Sequence, residues 1–148
     1  MKPLSLKHFL SIFFSVHLIV AQQAYAELTL NSTDIKNGIT MSKAHEFAGF
    51  GCDGQNLSPQ LSWQGAPIET KSFAITAYDP DAPTGSGWWH WVLINIPVTA
   101  NNLSTGAGNP AKGLLPQKSQ TFRTDYGQYE FGGACPPKGD QAHRYQFK

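Results

Sequence analysis

Two stretches decide the fold: Ser72, Phe73, Ala74, Ile75, Thr76, Ala77, Tyr78, and further on His90, Trp91, Val92, Leu93, Ile94, Asn95, Ile96. In the first, Phe73, Ile75 and Ala77 alternate with Ala74, Thr76 and Tyr78, the period of two that sends successive side chains to opposite faces of a strand. The second is apolar on both faces, as in a strand covered from both sides. Both read as central strands. Outward from them, Gln60 to Trp63 and His143 to Phe147 also alternate. Pro59, Pro67, Pro83, Pro97, Pro110 and Pro116 interrupt any long helix, which leaves Thr99 to Leu103 as a place for a short one. Glycine and proline make up 24 of the 148 residues and are spread through the chain as turn punctuation. Short strands bounded by turn residues predict an all-β fold, an antiparallel two-sheet sandwich with few short helices.

Residues 1–26 read as a secretory signal peptide rather than as part of that fold. Lys2 and Lys7 precede an apolar core from Phe9 to Val20, and Ala24, Tyr25 and Ala26 supply a small-residue cleavage pattern. The apolar run is shorter than the ~20 residues a spanning helix needs and contains His17, so no integral membrane segment is expected in the mature form. The mature chain, 27–148, is expected to be a single periplasmic or secreted domain. It carries nine basic and ten acidic side chains, a balance that gives no bulk attraction to nucleic acid. Cys52 and Cys135 both lie in this part, and an even count in an exported chain favours a disulfide over two buried thiols or a metal pair.

Several motifs carry chemistry, each beside a plainer alternative. Asp79, Pro80, Asp81, Ala82 and Pro83 present two carboxylates at a strand end, where they can accept hydrogen bonds from a ligand or close a turn on their own backbone. His90 opens the second strand after Trp88 and Trp89, able to donate to a phosphate oxygen or to pack as a core histidine. His143 and Tyr145, two apart on an expected strand, share a face with Phe147 and offer either further donors or plain packing. The loop from Gly132 to Gly139 combines glycine freedom with proline rigidity, as an anion-binding nest of amides does, and as a loop stapled by Cys135 also does. Gly49, Gly51 and Gly54 match the dinucleotide fingerprint only in spacing, since Leu57, Ser58 and Pro59 stand where a helix would begin. Asp79 and Asp81 do not continue into a calcium loop, because Pro83 takes its fifth position.

Taken together, Asp79 to Pro83, His90-Trp91, and Cys135 to Gly139 leading into His143, Arg144 and Tyr145 resemble the signature of the phosphatidylethanolamine-binding protein (PEBP) family, in particular its bacterial, Raf-kinase-inhibitor-like branch. The resemblance extends over the chain from Glu27 to Lys148. It implies a two-sheet antiparallel β-sandwich with a small pocket for phosphate or phospholipid head groups, lined by Asp79, Asp81, His90, His143 and Tyr145 with Gly133 and Pro136 nearby. No catalytic residue, cofactor or resident metal is expected, since the sequence holds no nucleophile elbow, Walker loop, paired Cys-x-x-Cys or His-Glu-x-x-His. Family members continue with a further strand and a C-terminal helical segment, and here the sequence stops while a strand pattern is still running. A domain lacking its C-terminal part is therefore the expectation.

Three functions compete. The first is an exported binding protein for a phosphate-type ligand, serving to regulate a protein partner. The second is a kinase or protease inhibitor acting through its surface. The third is a hydrolase in which Asp79, Asp81, His90 and His143 hold a metal or do acid-base work on a phospho-substrate.

Overall fold

The computed structural model describes residues 27–148, and the signal peptide read over 1–26 lies outside the described residues. The two decisive stretches form β5 (Ser72–Asp79) and β6 (Trp88–Pro97), paired antiparallel from Ser72 opposite Pro97 to Asp79 opposite Trp88. Ile75 and Ala77 of β5 and Trp91, Leu93 and Ile96 of β6 are buried. The ladder slips twice. Phe73 pairs with Ile96 and Ile75 with Leu93, so Ile94 and Asn95 together oppose Ala74. Asn95 takes φ +55°, a left-handed conformation that asparagine tolerates better than most residues. The second slip lies at the other end, where Ala77 pairs with Trp91 and Tyr78 with Trp89, leaving His90 without a partner on β5.

A second sheet packs across the core. It holds β1 (Thr29–Asn31), β4 (Leu61–Gln64) and β7 (Asn102–Leu103) in the order β1-β4-β7, all antiparallel. Leu61, Trp63 and Leu103 from this sheet join Ile75, Ala77, Trp91, Leu93 and Ile96 from the first in one apolar cluster, closed by Ala107 and Phe131. This makes the sandwich. Full burial of each of the larger side chains contributes about 1.5–3 kcal/mol. The β5–β6 sheet is completed by β8 (Gln120–Thr121) beside β6 and β9 (Gln146–Phe147) beside β5, in the order β8-β6-β5-β9.

Two expectations are corrected. No helix forms at Thr99 to Leu103: Ala100 N–H donates to Pro97 O in a turn, after which β7 pairs with β4. The tail is strand only from Gln146, not from His143, because the Arg144 amide donates to the Asp81 carboxylate at 2.7 Å instead of to a neighbouring strand. Among the described residues regular helix is limited to single 3-10 turns at Lys43–His45 and Pro110–Lys112. Among the described residues no helix is long and apolar enough to cross a membrane.

A hairpin of β2 (Ala48–Gly49) and β3 (Cys52–Asp53) stands beside the sandwich. Cys52 is bonded to Cys135 across a separation of 83 residues, with Cα atoms 6.0 Å apart. The same approach is held by backbone bonds: Phe47 N–H donates to Ala134 O, and Ala134 N–H to His45 O. Gly133 is required here, since a Cβ would lie 2.5 Å from His45 O and from the Glu46 carbonyl carbon. Closing so long a loop stabilises by about 4–5 kcal/mol in the chain-entropy model, and loss of a native disulfide in a small domain costs about 2–5 kcal/mol. Cys52→Ala with Cys135→Ala is therefore expected to lower the urea midpoint by an amount equivalent to about 2–5 kcal/mol. Native protein alkylated without reductant is expected to show no modified cysteine by mass spectrometry.

Candidate functional site

The C-terminal end of β5 and the start of β6 bring the candidate residues together. Asp79, the last residue of β5, is only 3% exposed. Its Oδ1 accepts from the Asp81 amide at 2.8 Å, the Asx-type turn that was the plainer alternative, and its Oδ2 accepts from His143 Nδ1 at 2.7 Å. Asp81 is not open to a ligand amine. It accepts from the Arg144 amide at 2.7 Å, from Arg144 Nε at 3.0 Å and from Arg144 Nη2 at 2.6 Å. Both carboxylates thus clasp the segment that leads into β9.

The electrostatics follow from these contacts. The Arg144 hydrogen bonds hold the Asp81 carboxyl down at about 2. For His143 burial disfavours the imidazolium, but the hydrogen bond and charge of Asp79, helped by Asp140 at 3.6 Å from Nε2, outweigh it and raise the pKa. Of the two imidazoles in the site, His143 is the one whose cationic form its surroundings favour.

His90 behaves in the opposite way. As the unpaired residue of the bulge it is buried along with Trp91, where strict alternation would bury only one of the two. Its Nδ1 lies 2.8 Å from Gly132 O, and since a carbonyl only accepts, Nδ1 carries the proton. Burial, the largest influence, pushes the His90 pKa down despite the carbonyls of Gly132 and Gly133 and the charge of Asp79. The neutral ring therefore presents Nε2 as an acceptor. No described residue meets that nitrogen with hydrogen-bond geometry.

Two phenols stand edge-on to this ring, Tyr126 with centroids 5.4 Å apart and Tyr145 at 5.1 Å. Tyr126 is stacked on Phe47 at 4.3 Å and donates to Gly133 O at 2.8 Å. The Tyr145 hydroxyl is buried with no partner in hydrogen-bond geometry, although the Cys135 amide faces it. Burial first, and the charge of Asp79 second, push both phenols far up, so both remain neutral donors.

The first three amides of the Gly132 to Gly139 loop are taken up within the fold. Gly132 N–H donates to His90 O, Gly133 N–H to Asn56 Oδ1, and Ala134 N–H to His45 O. Asn56 is a participant that the sequence did not reveal: its left-handed φ of +53° is natural to asparagine, but its partners lie more than 70 residues away. Pro136, His143 and Tyr145 also face an open cavity of 1310 Å³ between the segment 30–41 and the tail 142–148, whereas Asp79, Asp81, His90 and Gly133 are not part of its wall. Among the described residues no group of three or more His, Cys, Asp or Glu is placed to hold a metal ion.

The clasp has a pH signature. His143, with a raised folded pKa, contributes stability that is fully present below its ordinary 6.5 and lost as pH rises through the folded value. Asp81, with a depressed one, contributes stability present above 3.8 and lost as pH falls through about 2. Urea unfolding of wild type and His143→Gln is expected to show the wider gap at pH 6 and a narrower one at pH 9.

A family model described as phosphatidylethanolamine-binding protein matches residues 31–148. The chain is 54% identical over 128 residues to the UPF0098 protein YbcL of Escherichia coli strain K12, an alignment that covers 86% of this chain and 69% of that relative. It is 48% identical over 120 residues to YbhB of the same organism, covering 81% and 75%. The crystal structure of E. coli YbcL, described as a new member of the mammalian PEBP family, superimposes with a TM-score of 0.80 over 82% of this chain and 74% of that one. With that extent of matched sequence and the shared sandwich, the chain belongs to the phosphatidylethanolamine-binding protein family.

Proposed function

We propose that the protein is an exported binding protein whose site takes a phosphate or phosphorylated head group, without covalent turnover, and so governs contact with a protein partner. The observation that carries this reading is the buried, unpartnered hydroxyl of Tyr145 set against His90. A buried donor left without an acceptor costs about 1–3 kcal/mol, which a ligand oxygen would recover. The neutral His90 has the complementary need, because its Nε2 lone pair calls for a donor. A phosphate that retains one proton satisfies both groups, with P–OH donating to His90 Nε2 and an anionic oxygen accepting from Tyr145. The His143 imidazolium supplies the neighbouring positive charge and offsets Asp79. Asp81, engaged by Arg144, acts by fixing the tail rather than by touching the ligand. Export follows from the leader pattern of residues 1–26 and agrees with the Cys52–Cys135 disulfide, since such bonds persist in oxidising compartments. The protein partner rests on family resemblance alone.

Calorimetric titration with phosphate and with phosphoethanolamine tests the reading. Because the bound phosphate shares one proton with His90, affinity is expected to fall as pH rises past the ligand's second ionisation, near ~6 for a monoester such as phosphoethanolamine and higher for inorganic phosphate. Tyr145→Phe is expected to weaken binding by about ten- to hundredfold, the equivalent of one buried hydrogen bond to a charged group. His90→Ala is expected to abolish most of it. Absence of binding of either ligand at pH 5.5, or equal binding by His90→Ala, would favour the surface-inhibitor reading. Release of phosphate from phosphoethanolamine, with or without added divalent metal, would favour the hydrolase. Export is checked separately by the mass of the mature protein, expected to begin at Glu27.

A further inference from the structure

The two peptide groups that flank Gly132 are each bonded on both edges. In the first, Phe131 O accepts from Asn56 Nδ2 at 3.2 Å while Gly132 N–H donates to His90 O at 2.8 Å. In the second, Gly133 N–H donates to Asn56 Oδ1 at 2.7 Å while Gly132 O accepts from His90 Nδ1 at 2.8 Å. A trans peptide points its C=O and N–H in opposite directions, so each plane is a strut with Asn56 at one end and His90 at the other. The orientation of the Asn56 amide is fixed by its partners, since Phe131 O can only accept and the Gly133 amide can only donate.

Asn56 is itself anchored. Its backbone N–H donates to Glu46 O at 2.8 Å, and the following Leu57 N–H donates to Ala44 O at 2.9 Å. Its φ of +53° aims the side chain across the loop, a conformation that asparagine and glycine accept readily. At Gly132 no side chain resists rotation, so these bonds alone set the tilt of the two peptide planes. Gly132 N–H and the Tyr126 and His45 bonds place the loop, and the Asn56 amide adds the bond that sets the tilt of the Gly132–Gly133 peptide and so the aim of its carbonyl at the imidazole.

We propose that Asn56 is a positioning residue that fixes His90 in its Nδ1–H tautomer, by holding both peptide groups of Gly132 between its own amide and the His90 residue. Free histidine prefers the other tautomer, with the proton on Nε2, so the unusual form needs a held acceptor. Only the Nδ1–H form offers Nε2 as a lone pair to a ligand. The functional consequence rests on the phosphate reading above, but the tautomer does not.

The test is nitrogen-15 NMR of the histidine rings in the ligand-free mature protein at a pH where His90 is neutral. Wild type is expected to show His90 as Nδ1–H. Asn56→Asp keeps the shape and the acceptor but removes the donor to Phe131 O; Asn56→Gly keeps the backbone conformation and removes both bonds. In both variants His90 is expected to shift toward Nε2–H while the His143 signals, set by Asp79, stay in place, and phosphate affinity is expected to drop at least tenfold. Folded variants that retain Nδ1–H at His90 would overturn the proposal, as would equal changes at His90 and His143, which would mean general loosening. If the variants fail to fold, wild type decides: Nδ1–H at His90 together with slow exchange of the Gly133 amide supports the proposal, and Nε2–H or free exchange refutes it. If wild type shows Nδ1–H but binds no phosphate, the functional reading fails and the positioning role stands.

Discussion

Near the site the β5–β6 ladder slips by one residue, so that Ala77 meets Trp91, Tyr78 meets Trp89, and His90 is left between them. Much of the structure depends on that surplus residue. A bulge frees a backbone carbonyl from the ladder and turns a side chain that strict alternation would have aimed elsewhere. Here the freed His90 carbonyl accepts from Gly132 and the turned imidazole donates back to the same residue. This reciprocal pair draws the 131–135 loop over the end of the sheet, where Phe131 enters the core against Trp91 and Cys135 reaches Cys52. The bulge, the loop and the disulfide therefore form one connected arrangement. Tyr126 is part of it through Gly133 O and its stack on Phe47.

Charge in the site is distributed by burial. Asp79 and His143 are both nearly inaccessible, so each requires the other, and deleting one partner would leave the second as an unpaired charge in a poorly solvated place. Arg144 and Asp81 form a two-pronged pair nearer to solvent, where an ion pair contributes little to stability and is weakened by salt. Its effect is geometric. By taking the Arg144 amide as well as the guanidinium, Asp81 ends the extended pairing of the tail, so that β9 begins at Gln146 and Tyr145 can lie against His90. The two histidines of the site are thus biased in opposite directions, Asp79 favouring the cation of His143 and burial disfavouring that of His90. Such divergence equips one small site with both an acceptor and a positive charge.

The sequence by itself determined the strands whose side chains decide their burial. The period of two in Ser72 to Tyr78 and the apolar run to Ile96 are local patterns, and they are enough to specify β5, β6 and the all-β class. The disulfide was legible because two cysteines admit only one pairing. The candidate site was legible as a set of residue types in a family-like order, gathered from three distant segments. Only the tertiary structure decided how those residues are used. Which residue bulges depends on a slip against a partner strand, and no pattern within residues 88–97 records it. The donors of the Gly132 to Ala134 amides were consumed by His90, Asn56 and His45, partners up to 89 residues away, so the glycine-rich start of the loop serves as a structural seam. Asn56 was invisible for the same reason: its chemistry lies entirely in contacts across the fold, and hydrogen bonds between distant segments leave no periodic trace in the chain.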